Sequence, residues 1–307
     1  MRVIVAVDGS AGSRLGLDLI KDAGLPRDTG FRVVAVADGA PGGSAIAMQE
    51  YAVGSPYATD PRPTELLTSL EAAKSVLEGA GYVEVDSILL EGRAARAIVE
   101  EARAFGADLI VVGHRGRGAL TSRLLGSTSA EVIEHAGCAV LVARSSHLGP
   151  IMVATDGSEA SRTSAELLSG WPLFERFPVT VVSVADVRMP VAIEFQAGVY
   201  EQIMKSYLES VEAARTECAS RAESAAGVLR AAGRATATEV LEGDPATAIV
   251  EAASAKKTDL IVVGTRGLTG LAQIALGSTA RKVMLHALCS VLVIPVRRTG
   301  PVGPETA

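Results

Sequence analysis

The chain contains its own second copy. Residues 90–143 align without a gap to residues 241–294 at an offset of 151, and 30 of those 54 positions are identical. LEGRAARAIVEEA answers LEGDPATAIVEAA, DLIVVGHRG answers DLIVVGTRG, and LLGSTS answers ALGSTA. The beginnings correspond at an offset of 148, VAVDGSAGSR at 5–14 against VATDGSEASR at 153–162, so the second half has gained three residues between the blocks. A duplicated sequence folds the same way twice. Two homologous domains are therefore expected, at 1–145 and 149–296, joined by Ser145–Gly149. Each falls within the roughly 100–200 residues of an ordinary domain. Residues 297–307 hold two Pro and two Gly without an apolar pattern, and are expected to be a disordered tail.

Hydrophobic residues make up 48% of the 307 and charged residues 21%, which excludes a disordered or collagen-like chain. Aromatics are 4%, while Ala, Val, Leu and Gly abound, a balance suited to α/β layers. The net charge of −6 splits into −4 and −2: 14 basic and 18 acidic residues precede Gly149, and 15 and 17 follow. Neither half has the basic excess that binding to a phosphate backbone requires, so nucleic acid is not an expected partner. No stretch approaches the roughly 20 apolar residues of a membrane span, and the apolar run at the N-terminus ends at Asp8, too short for a signal peptide. Cys138, Cys218 and Cys289 form neither a disulfide framework nor a metal-type pair. These features predict a protein of the reducing cytoplasm without a membrane partner.

Each half alternates short apolar runs with amphipathic stretches. In the first, strands are expected at Val3–Val7, Phe31–Ala37, Val83–Leu90, Leu109–Val112 and Cys138–Ala143. Helices are expected from Ser10, a plausible N-cap, to about Gly24, then at Thr64–Glu78, Ala94–Phe105 and Thr128–His135, with a Gly- and Pro-rich loop from Gly39 to Pro63. The second half repeats this order, with Asp244–Pro245 opening its third helix and a longer second helix from about Ile203 to Arg230. Such alternation builds right-handed crossovers and a parallel sheet with helices on both faces. Ligands then bind where the strand order reverses, outside the carboxyl ends of the strands. The informative residues lie there, after strands one and four.

After strand four the first half reads Gly113-His114-Arg115-Gly116, nine residues, then Gly126-Ser127. The second reads Gly264-Thr265-Arg266-Gly267, nine residues, then Gly277-Ser278. The glycines let backbone N–H groups approach an anion closely. Gly126-Ser127 opens a helix whose first amides and positive dipole end face the same place, and the Ser127 and Thr128 hydroxyls can donate to phosphate oxygens. The nine intervening residues have drifted between the copies while the frame has not, which favours a phosphate site over a simple strand-to-loop turn. GxxxxGK[ST] and GxGxxG patterns are both absent.

Asp8 and Asp156 end strand one in each half. Either can hydrogen-bond a nucleoside, bind a metal or cap its own Asp-Gly-Ser turn. Arg115 and Arg266 can pair with phosphate or stand in solvent. His135 and His286 sit near a helix C-terminus, where a cation complements the dipole. Cys138 and Cys289 open a buried strand and are read as packing.

Together the paired glycine signature, the VAVDGS and VATDGS openings and the CAVLVA and CSVLVI final strands resemble the universal stress protein family over nearly the whole chain. The resemblance implies two tandem flavodoxin/Rossmann-like domains, each a five-stranded parallel sheet in the order 3-2-1-4-5, with ATP at the switch point and Mg2+ held by its phosphates. In the first domain it implies a nucleoside pocket of Ala6, Asp8 and Val36, completed by Val112, Gly113, Arg115, Gly116, Gly126, Ser127 and Thr128 around the phosphates. The matching set is Ala154, Asp156, Val184, Val263, Gly264, Arg266, Gly267, Gly277, Ser278 and Thr279. Family members often carry His where Arg115 and Arg266 stand. The resemblance also implies pairing of the two domains within the chain and a further homodimer.

A lone carboxylate at each site is poor equipment for hydrolysis, which needs a positioned water, an orienting group and usually a metal. A nucleotide-dependent sensor in a stress response is expected, with at most slow ATPase activity. Two other classes fit these residues less well. A phosphoacceptor receiver needs an acidic cluster and a Lys after strand five, where Arg144 and Pro295 stand. A nucleotidyl transferase or another enzyme of the adenine nucleotide alpha hydrolase-like group needs a different loop after strand one. Cyclic AMP or AMP in the same pocket is a further alternative, because nothing in the sequence counts phosphates.

Overall fold

The computed structural model describes residues 1–21, 23–37, 61–114, 116, 125–172, 175–187, 197–265 and 276–295. The first half runs β1 (Arg2–Ala6), α1 (Ala11–Lys21), β2 (Gly30–Ala37), α2 (Pro61–Gly79), β3 (Val85–Glu91), α3 (Ala94–Phe105), β4 (Leu109–Gly113), α4 (Ser127–His135) and β5 (Ala139–Ala143). The second repeats it as β6 (Ile151–Ala154), α5 (Glu159–Gly170), β7 (Val179–Ala185), α6 (Ala197–Ala231), β8 (Thr236–Glu242), α7 (Pro245–Ala255), β9 (Leu260–Gly264), α8 (Ser278–His286) and β10 (Ser290–Ile294). The loop expected from Gly39 lies outside the described residues as far as residue 60, and so does the tail.

All ten strands form one sheet, in the order β3-β2-β1-β4-β5-β10-β9-β6-β7-β8. Within each half the pairings are parallel, as the crossover argument requires. The halves meet through one antiparallel pairing of β5 with β10, Val140 opposite Val293, Leu141 opposite Leu292 and Val142 opposite Val291. That reversal sends the carboxyl ends of the two sets of strands to opposite ends of the sheet.

Side chains alternate across a strand, and here both faces are covered. Val3 and Val5 join one core layer with Leu17, Ile20, Leu70 and Leu77 of α1 and α2, and with Leu168 and Leu229 of α5 and α6. Ile4 joins the other, with Ile98, Val132 and Ile133 of α3 and α4 and their counterparts Ile249, Val283 and Met284 of α7 and α8. Each layer runs unbroken through both halves. Burial on both faces explains the continuous apolar runs LIVVG, AVLVA and SVLVI. The edge strand β8, TATEVLE, has no fully buried residue.

The expected element bounds shift at some ends. Strand three begins at Val85 rather than Val83, because the chain turns at Gly81 (φ +92°) and leaves Val83 80% exposed. Strand five begins after Cys138. Helix α6 extends past both expected ends to 35 residues, against 19 for α2. Asp244 caps α7 as expected, accepting a hydrogen bond from the Thr247 amide at 3.1 Å.

The central junction is packed like a core. Leu141→Ala, at a fully buried position opposite Leu292, should cost about 2–5 kcal/mol in urea unfolding. Leu208→Ala on the exposed part of α6 should stay within about 0.5 kcal/mol. Equal effects at the two positions would contradict a shared central core.

Candidate functional site

Both halves end their first strand in the same turn. The Ser10 amide donates to Asp8 Oδ1 at 2.9 Å, and the Ser158 amide to Asp156 Oδ1 at 2.9 Å. Gly9 and Gly157 each take φ +77°, which a side chain adopts poorly, so the glycine of Asp-Gly-Ser is dictated by the turn. Ser10 Oγ then accepts from the Ser13 amide at 3.2 Å, and Ser158 Oγ from the Ser161 amide at 3.3 Å, capping α1 and α5. The turn-capping role of the aspartates is therefore present, through one oxygen. The other oxygen of Asp8 lies against the glycine loop, where a Cβ added to Gly116 would come 2.7 Å from Oδ2. A turn made by β1 and a loop made by β4 thus meet at a carboxylate.

Close packing fixes where they meet. A Cβ on Gly113 would lie 2.6 Å from Gly12 O and the Ser13 nitrogen, and one on Gly264 would lie 2.8 Å from Ala160 Cβ. The last residue of β4 or β9 therefore has to be glycine for the start of α1 or α5 to sit this close. The loops that follow are closed at their bases by the same two backbone bonds. His114 N–H donates to Ala143 O at 3.1 Å and Gly126 N–H to His114 O at 2.8 Å; Thr265 N–H donates to Ile294 O at 2.9 Å and Gly277 N–H to Thr265 O at 2.6 Å.

Gly126 and Gly277 are the N-caps of α4 and α8, in extended conformation, and as glycines bring no side chain to cap the first turn. The first amides and the positive dipole end of each helix therefore open at the loop. Ser127 and Ser278 are exposed, and Thr128 and Thr279 half-buried. The apolar candidates gather on the face that α4 and α8 cover. Val112 and Val263 are buried in that layer, and Ala6, Val36, Ala154 and Val184 pack against it half-buried. Continuing the register of β1 with β2 and β4 brings Asp8 level with Val36 and His114. Arg115, Arg266 and Gly267 lie outside the described residues.

Two positioning residues escape a reading of matched motifs. Ser129 Oγ is buried and donates to Gly113 O at 2.7 Å, and His114 Nδ1 lies 3.2 Å from Ala143 O. The second half has Ala280 and Thr265 in their places, so they fall where the copies differ. The other candidates follow the structural readings. His135 Nδ1 contacts Glu131 O at 2.8 Å within the last turn of α4. Burial pushes the Cys138 thiol up to about 12 and the Cys289 thiol to about 11. Among the described residues, no group of three or more His, Cys, Asp or Glu is placed to hold a metal ion.

Ser129→Ala should cost about 1–3 kcal/mol in urea unfolding, because it strips a buried carbonyl of its partner; no loss would mean that the bond does not form. The thiols give a second test. At pH 8 a disulfide reagent should label Cys138 and Cys289 far more slowly in the native chain than in urea. Their pKa values are raised on folding, so the neutral-thiol contribution to stability is whole below pH 9 and fades as pH rises toward 11–12. Equal labelling rates in the two states would contradict the burial.

With this geometry in place, comparison with known proteins is specific. The model of the universal stress protein family matches residues 1–144 and again 148–295. A universal stress protein of Methanocaldococcus jannaschii is 38% identical over 144 residues, which cover 47% of this chain and 80% of that one. Another from Thermus aquaticus is 33% identical over 144 residues, covering 47% and 96%. The crystal structure of a universal stress protein from Archaeoglobus fulgidus superposes with a TM-score of 0.64 at 17% identity, covering 96% of this chain and 98% of that one. No helix among the described residues is long and apolar enough to cross a membrane. The chain belongs to the universal stress protein family, as two family domains in tandem.

Proposed function

We propose that each half binds one ATP, and that the chain serves in a stress response as a nucleotide-dependent regulator rather than as a fast enzyme. One observation carries the reading: in the first half an aspartate turn, a glycine loop and a helix N-terminus opened by glycine converge, and the second half repeats the turn and the glycine-opened helix although the residues inside the loops have drifted. An anion placed against the first turn of α4 takes up amide donors that the N-cap glycine has no side chain to cap. Gly113, Gly116 and Gly126, with Ser127 and Thr128, then surround the phosphates, and Arg115 adds charge. Ala6, Val36 and Val112 offer the base an apolar wall on one sheet face. Asp8 serves the nucleoside while its Oδ1 holds the turn. The second site uses Ala154, Asp156, Val184, Val263, Gly264, Arg266, Gly267, Gly277, Ser278 and Thr279 in the same roles. Mg2+ rides on the phosphates, since no group of three or more His, Cys, Asp or Glu among the described residues is placed to hold a metal ion.

That economy of charge also argues against rapid hydrolysis. Asp8 spends one oxygen on the Ser10 amide, which commits that oxygen to the turn rather than to a nucleophilic water. Turnover above roughly 1 s⁻¹ would place the protein among ordinary enzymes and overturn this part of the reading.

Denaturing the purified chain and counting released nucleotide by mass spectrometry, after loading with ATP and Mg2+, is the direct test. About two ATP are expected per chain, one at each helix N-terminus. Asp8→Ala and Asp156→Ala should each lower the count to about one, and the pair together to near zero. Retention of AMP or cyclic AMP in preference to ATP would correct the ligand, and no retention with no heat of binding would overturn the site.

A further inference from the structure

We propose that the two candidate sites are energetically coupled and that Arg144 is the positioning residue that couples them; this rests on the nucleotide reading above. The first site reaches Arg144 through consecutive hydrogen bonds. Gly126 N–H, at the mouth of the glycine loop, donates to His114 O at 2.8 Å, and His114 N–H donates to Ala143 O at 3.1 Å. The next residue is Arg144, at the end of β5. Its amide donates to Ser290 Oγ at 3.1 Å, and its guanidinium Nη2 donates to Met284 O in the last turn of α8. The opposite end of that nine-residue helix is Gly277-Ser278, the phosphate end of the second candidate site.

A second link runs beside the first. Arg281 Nη2 pairs with Glu134 Oε1 of α4 at 2.6 Å. The Arg281 amide donates to Gly277 O at 3.0 Å, so this residue is bonded to the second loop and to the first half's helix at once. The two sites lie at opposite ends of the sheet, yet their helices are tied together.

These ties are not a by-product of the duplication. At the offset of 151, Arg144 answers to Pro295, Ser290 to Ala139, Glu134 to Leu285 and Arg281 to Ala130. Every one of the four polar partners faces a residue in the other copy that cannot make the same bond. The polar contact was therefore built for the first half against the second, on a background that is otherwise symmetric. Interfaces of this kind shift between discrete arrangements rather than deform continuously, because cores are close-packed. An anion held at Gly126 and the first turn of α4 fixes His114 and the end of β5, and thereby the carbonyl end of α8. Coupling of binding through these ties is reciprocal.

The test uses the full chain with its second site disabled. In Asp156→Ala, ATP with Mg2+ can fill only the first site, and amide hydrogen exchange is read across residues 277–286. Exchange there should slow by about five-fold or more on ATP addition, the low end of ordinary coupling. Adding Arg144→Ala should remove most of the slowing while about one ATP per chain is still taken up. Arg144→Lys, which can still donate to Met284 O, should restore part of it. If Arg144→Ala fails to fold, Glu134→Gln with Arg281→Gln removes the second, exposed link and should reduce the slowing on its own. ATP uptake by Asp156→Ala with unchanged exchange in α8 would overturn the coupling and leave the nucleotide reading standing. No uptake by either Asp156→Ala or the unaltered chain would overturn both.

Discussion

The antiparallel pairing of β5 with β10 is the constraint on which the rest of the structure depends. Each of these strands is buried along its whole length, with β4 or β9 on one side only within its own half. Left as edges, AVLVA and SVLVI would present unpaired N–H and C=O groups between two apolar faces, the pattern that invites aggregation. Joining them removes both edges at once and makes the two core layers continuous from α2 to α6 and from α3 to α7. It also sets the functional geometry. Because the pairing is antiparallel, the candidate sites open at opposite ends of the sheet while α4 and α8 lie against each other.

Within each half a second constraint places the site. Parallel strands one and four diverge at their carboxyl ends, and the crevice between them is where an α/β sheet receives ligands. Gly113 and Gly264 let the start of α1 or α5 approach β4 or β9 so closely that a methyl group would collide with backbone or with Ala160. The aspartate turn is thereby held against the glycine loop. Two short backbone bonds at the base of each loop keep its ends together while the residues between them vary. A frame fixed by packing around a variable interior is what the two copies preserve.

Much of this was legible in the sequence because the duplication acts as a comparison within one chain. The matched glycines, the two Asp-Gly-Ser turns and the strand–helix alternation identified the parallel layers and the switch-point residues. Ala6, Val36 and Val112 share one face of the sheet with the residues of α4. What escaped notice depends on contacts between residues distant in the chain. Ser129 bonded to Gly113, and Arg144 and Arg281 reaching across to the other half, cannot be read from local pattern. They also lie where the copies disagree, so the repeat that revealed the frame concealed them. The bounds of α6 slipped for a different reason. Its first half is mostly exposed, with Tyr200 and Leu208 among its exposed apolar residues, and so lacks the apolar stripe that marks a helix packed along its length.

The central claim is that one chain carries two equivalent nucleotide sites, one at the carboxyl end of each set of parallel strands. A crystal structure of the full chain grown with ATP and Mg2+ tests it most directly. The account predicts triphosphate density at both helix N-termini, against Gly126–Thr128 and Gly277–Thr279, with each nucleoside beside Asp8 or Asp156. Nucleotide seated elsewhere on the chain, or both loops empty at saturating ATP, would contradict it.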